Sequence, residues 1–205
     1  QPGEPGLKEK KALEEYNAYK PGFFEKLFKK DEQKQKKLSE QIEKAKKKDE
    51  QDYREWKELV HLAEKVLNGD IDAYFSVLEE MDPLGDLSEF GSGFEFSTDD
   101  PSYMEVEFDV HSDQTIPKEE KKLTKTGKLS TKQMTKTKYY ELQQDYVCSC
   151  TLRIARDLFA LLPLKTVLIH AYDEQLDTTT GHMKKAVILS IKIEREILNS
   201  LNFDL

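Results

Sequence analysis

Met104-Glu105-Val106-Glu107-Phe108-Asp109-Val110 is the stretch that decides the fold. Apolar and acidic residues alternate strictly. In an extended chain, Met104, Val106, Phe108 and Val110 therefore share one face, while Glu105, Glu107 and Asp109 share the other. The pattern predicts a strand with one face on a core and one in water. Asp99-Asp100-Pro101, just upstream, signals a turn, and Gly93-Phe94-Glu95-Phe96 before it alternates as well. Two such runs across a turn predict an antiparallel hairpin.

Working outward, Ile71 to Met81 has helical spacing of Tyr74, Phe75, Val77, Leu78 and Met81, with Asp70 placed to cap it and Asp82-Pro83-Leu84-Gly85 to end it. Thr115 to Leu129 reads as a lysine-rich connection with a short strand around Ile116 and a turn at Gly127. Thr137 to Leu162 predicts a long central helix, apolar over a wide face of its second half and stopped by Pro163. Thr166 to Ile169, running on towards Tyr172, and Ala186 to Ile193 predict two β-branched strands joined by a loop from Asp173 to Lys185. Glu194 to Leu201 predicts a last helix. The order is α-β-β-α-β-β-α with a mixed or antiparallel sheet, an α+β domain over residues 70–205.

Residues 1–69 differ in kind. Apolar residues are sparse, and from Lys29 to Lys48 nine lysines face only Asp31, Glu32, Glu40 and Glu43. Lys20-Pro21-Gly22 breaks the chain between a short helix ending at Tyr19 and a longer one. The longer one opens on the apolar anchor Phe23, Phe24, Leu27 and Phe28 and closes before Gly69. Leu38, Ile42 and Ala45 begin a stripe that Trp56, Leu59, Ala63 and Val66 resume, with Asp49 and Asp52 in the same phase between them. That interruption argues against a tight coiled coil. The segment is expected to be a helical arm, a helical hairpin or coiled coil, whose stripe pairs with the N-terminal helix or with a second protein chain.

Of 205 residues, 35% are charged and 37% apolar, with mean hydropathy −0.74, net charge −8 and pI near 5.2. That supports one core of roughly 140 residues plus an extension. The longest apolar run, Leu158 to Ile169, is broken by Pro163 and Lys165 and falls short of the ~18–20 residues of a membrane span. The Pro/Gly-rich start, Gln1 to Gly6, reads as a linker, so the chain is expected to be part of a longer protein. Two cysteines, Cys148 and Cys150, sit one residue apart on the central helix, which predicts free thiols and a reducing, cytoplasmic setting.

Charge comes in blocks. Asp82 to Asp113 holds ten acids and no Lys or Arg, whereas Lys118 to Lys138 holds eight lysines against Glu119 and Glu120. The lysines Lys121, Lys122 and Lys125, near Tyr139-Tyr140, suit nucleic acid. Neutralisation by the neighbouring acidic segment is the preferred reading. Arg153 and Arg156, three apart on the central helix, read as snorkelling from the core edge, pairing with those acids or holding a phosphate, and internal pairing is the preferred reading. Asp173, Ser190 and Lys192 occupy the order of a restriction-endonuclease-like centre, with Ser190 where the second carboxylate belongs, so no metal site is expected. Zinc on Cys148 and Cys150 with His170 or His182 lacks paired ligand motifs, and no motif supports a cysteine–histidine nucleophile. No cofactor is expected. Thr180 and His182, in a long loop of hydroxyls and Gly181, are candidate ligand-binding residues.

The stretches Leu123 to Ser130, Tyr146 to Cys150, Leu158 to Pro163, Thr180-Gly181-His182 and Ile188-Leu189-Ser190 together resemble a set of uncharacterised bacterial proteins. In these, a Gly-rich N-terminal domain of unknown function 4236 precedes a coiled-coil segment and a domain similar to this one. The resemblance covers most of Tyr19 to Leu205 and lacks the Gly-rich module. It implies a bacterial cytoplasmic origin and supplies no catalytic residues. The leading expectation is a non-catalytic protein-interaction or scaffold module acting through the arm, with a protein partner or self-association. The alternative is a nucleic-acid-binding or degenerate endonuclease-like domain, and small-ligand sensing by the Thr178–His182 loop is a third class.

Overall fold

The computed structural model describes residues 6–20, 30–89 and 92–203. In chain order the elements are α1 (Leu7–Ala18), α2 (Lys30–Leu67), α3 (Ile71–Met81), α4 (Gly85–Glu89), β1 (Gly93–Ser97), β2 (Tyr103–Asp109), α5 (Ser112–Thr115), β3 (Glu119–Leu123), β4 (Leu129–Gln133), α6 (Lys136–Leu161), β5 (Thr166–Leu176), β6 (Met183–Glu194) and α7 (Arg195–Ser200). They form two compact units, Gln1–Glu64 and Lys65–Leu205.

In the first unit, α1 has Gly6 at its N-cap and no side-chain cap of its own. Asp49 of α2 supplies one: its Oδ2 accepts the amides of Lys8 at 3.0 Å and Glu9 at 2.8 Å. A carboxylate satisfies the unpaired first-turn donors and meets the positive end of the helix dipole. The Lys8 ammonium pairs with Asp52, which also takes Lys48 at 3.2 Å, and the Lys8 hydrogen bond leads in drawing the Asp52 carboxyl below its ordinary range. At the far end of α1, Lys34 Nζ lies 4.7 Å from the Tyr19 ring centroid. The helices are thus antiparallel. Leu38, Ile42, Ala45, Asp49 and Asp52 are the partly covered positions on this stretch of α2. The two aspartates that interrupt the apolar phase are the residues that hold α1.

In the second unit, α2 ends with Gly69 in the left-handed region at φ +78°, its amide bonded to the Val66 carbonyl. A β-carbon there would also lie 2.9 Å from Pro101, so glycine is required twice over. Asp70 caps α3 through the Ala73 amide at 3.1 Å. β1 and β2 pair antiparallel, β2 and β5 parallel, and β5 and β6 antiparallel, giving a mixed sheet in the order β1-β2-β5-β6. Met104 is opposite Val167, Val106 opposite Ile169 and Phe108 opposite Ala171, and all six are fully buried. Ile154, Ala155 and Leu158 of α6 and Tyr74, Val77 and Leu78 of α3 complete the core. Full burial of each large side chain contributes about 1.5–3 kcal/mol. Phe94 stacks on Phe108 at 5.2 Å, which ties the edge strand β1 to that core.

The last turn of α6 is closed from a distance. Arg195 donates Nε to the Leu164 carbonyl at 2.6 Å, Nη1 to Phe159 at 2.7 Å and Nη2 to Leu162 at 2.6 Å. Its cation also lies 4.8 Å from the Phe159 ring centroid. A planar fork of donors suits the divergent carbonyls at a helix C-terminus.

Two stretches differ from the sequence expectation. The connection after β2 holds a short helix, α5, and then a separate two-stranded antiparallel ribbon, β3 with β4, turning at Gly127 (φ +75°). Ile116 is buried just beyond α5 rather than in a strand. The loop expected from Asp173 to Lys185 is mostly strand: Asp173 pairs with Ala186, Glu174 with Lys185 and Leu176 with Met183, leaving residues 177–182 as the turn.

Candidate functional site

The first surface is on α2. Beyond Asp52, the last position held to α1, Tyr53, Trp56 and Leu59 are 44%, 57% and 52% exposed, and the Tyr53 and Trp56 rings lie 5.8 Å apart. Helical geometry puts residues three apart on one face. Three large, half-exposed apolar side chains thus form a ridge on this face of α2. Phe23, Phe24, Leu27 and Phe28, the other apolar group expected on the arm, lie outside the described residues.

The second surface is the outer face of the main sheet. His170 of β5 lies opposite Ser190 of β6, with Nδ1 2.9 Å from the Ser190 hydroxyl, and its Nε2 is 3.3 Å from Glu105 Oε1 on β2. Tyr103 donates its hydroxyl to the other Glu105 oxygen at 3.4 Å. Lys185 joins Asp109 at 2.9 Å and Glu107 at 3.7 Å and sits over the Tyr172 ring. The Asp109 hydrogen bond raises the Lys185 ammonium above its ordinary value. Glu105, Glu107 and Asp109 of the deciding stretch therefore meet a histidine and a lysine from the paired strands. A Ser–His–Glu line of this kind is legible only with strand register, because the residues are 65 and 20 positions apart.

The endonuclease-like trio is dispersed. Asp173 continues the inward alternation of β5 and is buried, accepting the Ser112 amide at 3.2 Å and the Gln143 amide group at 2.7 Å. It anchors the start of α5. Lys192 is exposed, pairs with Leu168 and bonds Glu194 at 3.1 Å. Leu168 is five residues from Asp173, about 17 Å along an extended strand. Among the described residues no group of three or more His, Cys, Asp or Glu side chains could hold a metal ion.

Thr180 and His182 belong to a self-contained turn. Asp177 accepts the Thr179 amide at 2.8 Å, which leads in lowering its carboxyl pKa. The Asp177 amide bonds the His182 carbonyl, the Gly181 amide bonds the Asp177 carbonyl, and the Thr180 hydroxyl accepts the His182 amide at 3.4 Å. Arg153 grips Asp86 through two 2.7 Å bonds and reaches Asp157 at 3.3 Å, so for Arg153 the expected pairing with the acidic block is made. Asp86 is drawn below its ordinary value chiefly by that grip. Arg156 stacks over Phe203 at 5.4 Å. Cys148 is exposed and Cys150 buried, and burial raises the Cys150 thiol pKa.

The third surface is the ribbon. Its residues are exposed apart from half-buried Glu120. Lys121, Lys122, Lys125, Lys128 and Lys132 make no ion pair among the described residues, and of the acidic segment expected to neutralise them Asp86, Glu105, Glu107 and Asp109 pair instead with Arg153, His170 and Lys185.

No family model matches the chain, and neither a curated protein nor a solved structure matches it. Among the described residues no helix is long and apolar enough to cross a membrane.

Proposed function

We propose that this chain is a protein-interaction module, non-catalytic in itself, that docks through the α2 ridge onto the same ridge of a second copy. The observation that carries this reading is the exposure of Tyr53, Trp56 and Leu59 together on a helix face beyond the reach of α1. Contiguous exposed apolar surface on a helix marks an interaction site, and aromatic residues dominate the energy of such contacts. Charge favours the homotypic pairing. Glu55 and Lys57 lie on opposite flanks of Trp56, so a parallel, in-register helix pair brings Glu55 of each copy beside Lys57 of the other and makes both flanks complementary. An antiparallel pair would set Glu55 beside Glu55 and Lys57 beside Lys57.

The bacterial, cytoplasmic setting and the kinship with the proteins carrying the Gly-rich domain belong to the same proposal. Two free cysteines and the quoted sequence stretches support them. Light scattering over a concentration series tests the docking role. Mass rising towards two chains supports it, and a constant single-chain mass for the full protein speaks against it.

A further inference from the structure

We propose that the β3–β4 ribbon is an arm that enters the major groove of double-stranded DNA. This goes beyond the docking role of α2 and stands independently of it. The ribbon buries none of its own side chains. Two strands alone are marginal in water, so its surface rather than any core accounts for its composition. From Lys121 to Lys138 there is no Asp or Glu. Of the two acids at the base, Glu120 is paired with Lys138 at 3.0 Å and Glu119 accepts the Gln133 amide at 2.9 Å. What remains towards the turn is cationic and hydroxylic on both faces. Register puts Lys122, Ser130 and Lys132 on one side and Lys121 and Thr131 on the other. Lysines on both faces suit the two phosphate backbones that flank a groove, and hydroxyls add phosphate contacts.

The turn end carries the second signal. Leu123 and Leu129 are directly opposed across the ribbon and are 70% and 62% exposed. An apolar pair at the tip of a basic ribbon matches the thymine methyl groups displayed in the major groove, which is about 12 Å wide and admits a two-stranded ribbon. The deep, narrow major groove of an RNA duplex does not. The overall charge of −8 opposes long-range attraction, but screening at physiological salt confines that effect to about 8 Å.

The test is fluorescence anisotropy of a labelled DNA duplex of about 20 base pairs with the full chain, over a series of salt concentrations. Five phosphate contacts predict a slope of log affinity against log salt of about −4.5. Replacing Lys121, Lys122, Lys125, Lys128 and Lys132 by Gln is expected to weaken binding by on the order of 100-fold or more, while Arg at the same positions keeps it. Single Lys→Gln variants, each lowering the slope by about 0.9, serve if the fivefold variant fails to fold. Leu123→Ser with Leu129→Ser is expected to erase any preference for A·T-rich over G·C-rich duplex. Absence of binding at low salt, undiminished binding by the Gln variant, equal binding to an RNA duplex, or binding to anionic lipid vesicles but not to DNA would each overturn the proposal.

Discussion

Replacing Arg195 by Met removes the guanidinium and keeps most of the apolar stem, so the loss isolates the three hydrogen bonds to the Phe159, Leu162 and Leu164 carbonyls. Leu162 and Leu164 are almost wholly buried, so water reaches their carbonyls poorly once the arginine is gone. Hydrogen bonds to a charged group contribute about 1.5–3 kcal/mol each. Arg195 is itself only partly buried and its own amide still bonds the Lys165 carbonyl. Some of the loss is therefore recovered by water and by an unchanged backbone, and we expect about 3 kcal/mol for the set. For a unit of this size that is a fall in Tm of roughly 10 °C. Scanning calorimetry and urea titration of the full chain measure it. Arg195→Lys, with one point donor in place of a fork, should recover only about a third of the loss. A loss under about 0.5 kcal/mol, or a Lys variant as stable as the parent, would refute the idea that Arg195 closes α6.

Asp49→Ala should release the start of α1, with exchange of the Lys8 and Glu9 amides about fivefold faster, the equivalent of the ~1 kcal/mol of a helix cap, and with the melting of the second unit unchanged. The Asp86–Arg153 pair should contribute to stability only where Asp86 is ionised. Its carboxyl is held below the ordinary value, so the contribution is present above the unfolded pKa of about 3.9 and vanishes as pH falls through the folded one. The stability difference between the parent and Asp86→Asn, followed from pH 7 down by denaturant titration, should close over that range. A thiol reagent at mildly alkaline pH should modify Cys148 quickly and Cys150 only on unfolding.

The sequence revealed those parts whose periodicity comes from a core. β2 alternates because one face is buried, and α3 shows helical spacing because Tyr74, Val77 and Leu78 are. The β3–β4 ribbon was invisible for the converse reason: with neither face buried, its apolar residues have no period to keep, and only Gly127 and the β-branched threonines hint at it. The far ends of β5 and β6 have the sequence of a loop because Glu174, Gln175, Lys184 and Lys185 are polar and exposed, although the ladder continues through them. Asp49 and Asp52 appeared as faults in a stripe and are its fasteners to α1, which only the antiparallel placement explains. Arg195 and the His170–Ser190–Glu105 line depend on contacts between distant segments and left no local signal.

Trp56 is the only tryptophan in the chain, so it reports on the proposed contact directly. Sedimentation equilibrium of the full protein, read alongside its tryptophan emission, should show mass rising from 23.8 kDa towards twice that value with concentration, with a matching blue shift as the indole leaves water. Trp56→Asp should hold the lower mass throughout. A mass fixed at that of one chain, with emission that does not move over the same concentrations, would contradict the homotypic α2 contact.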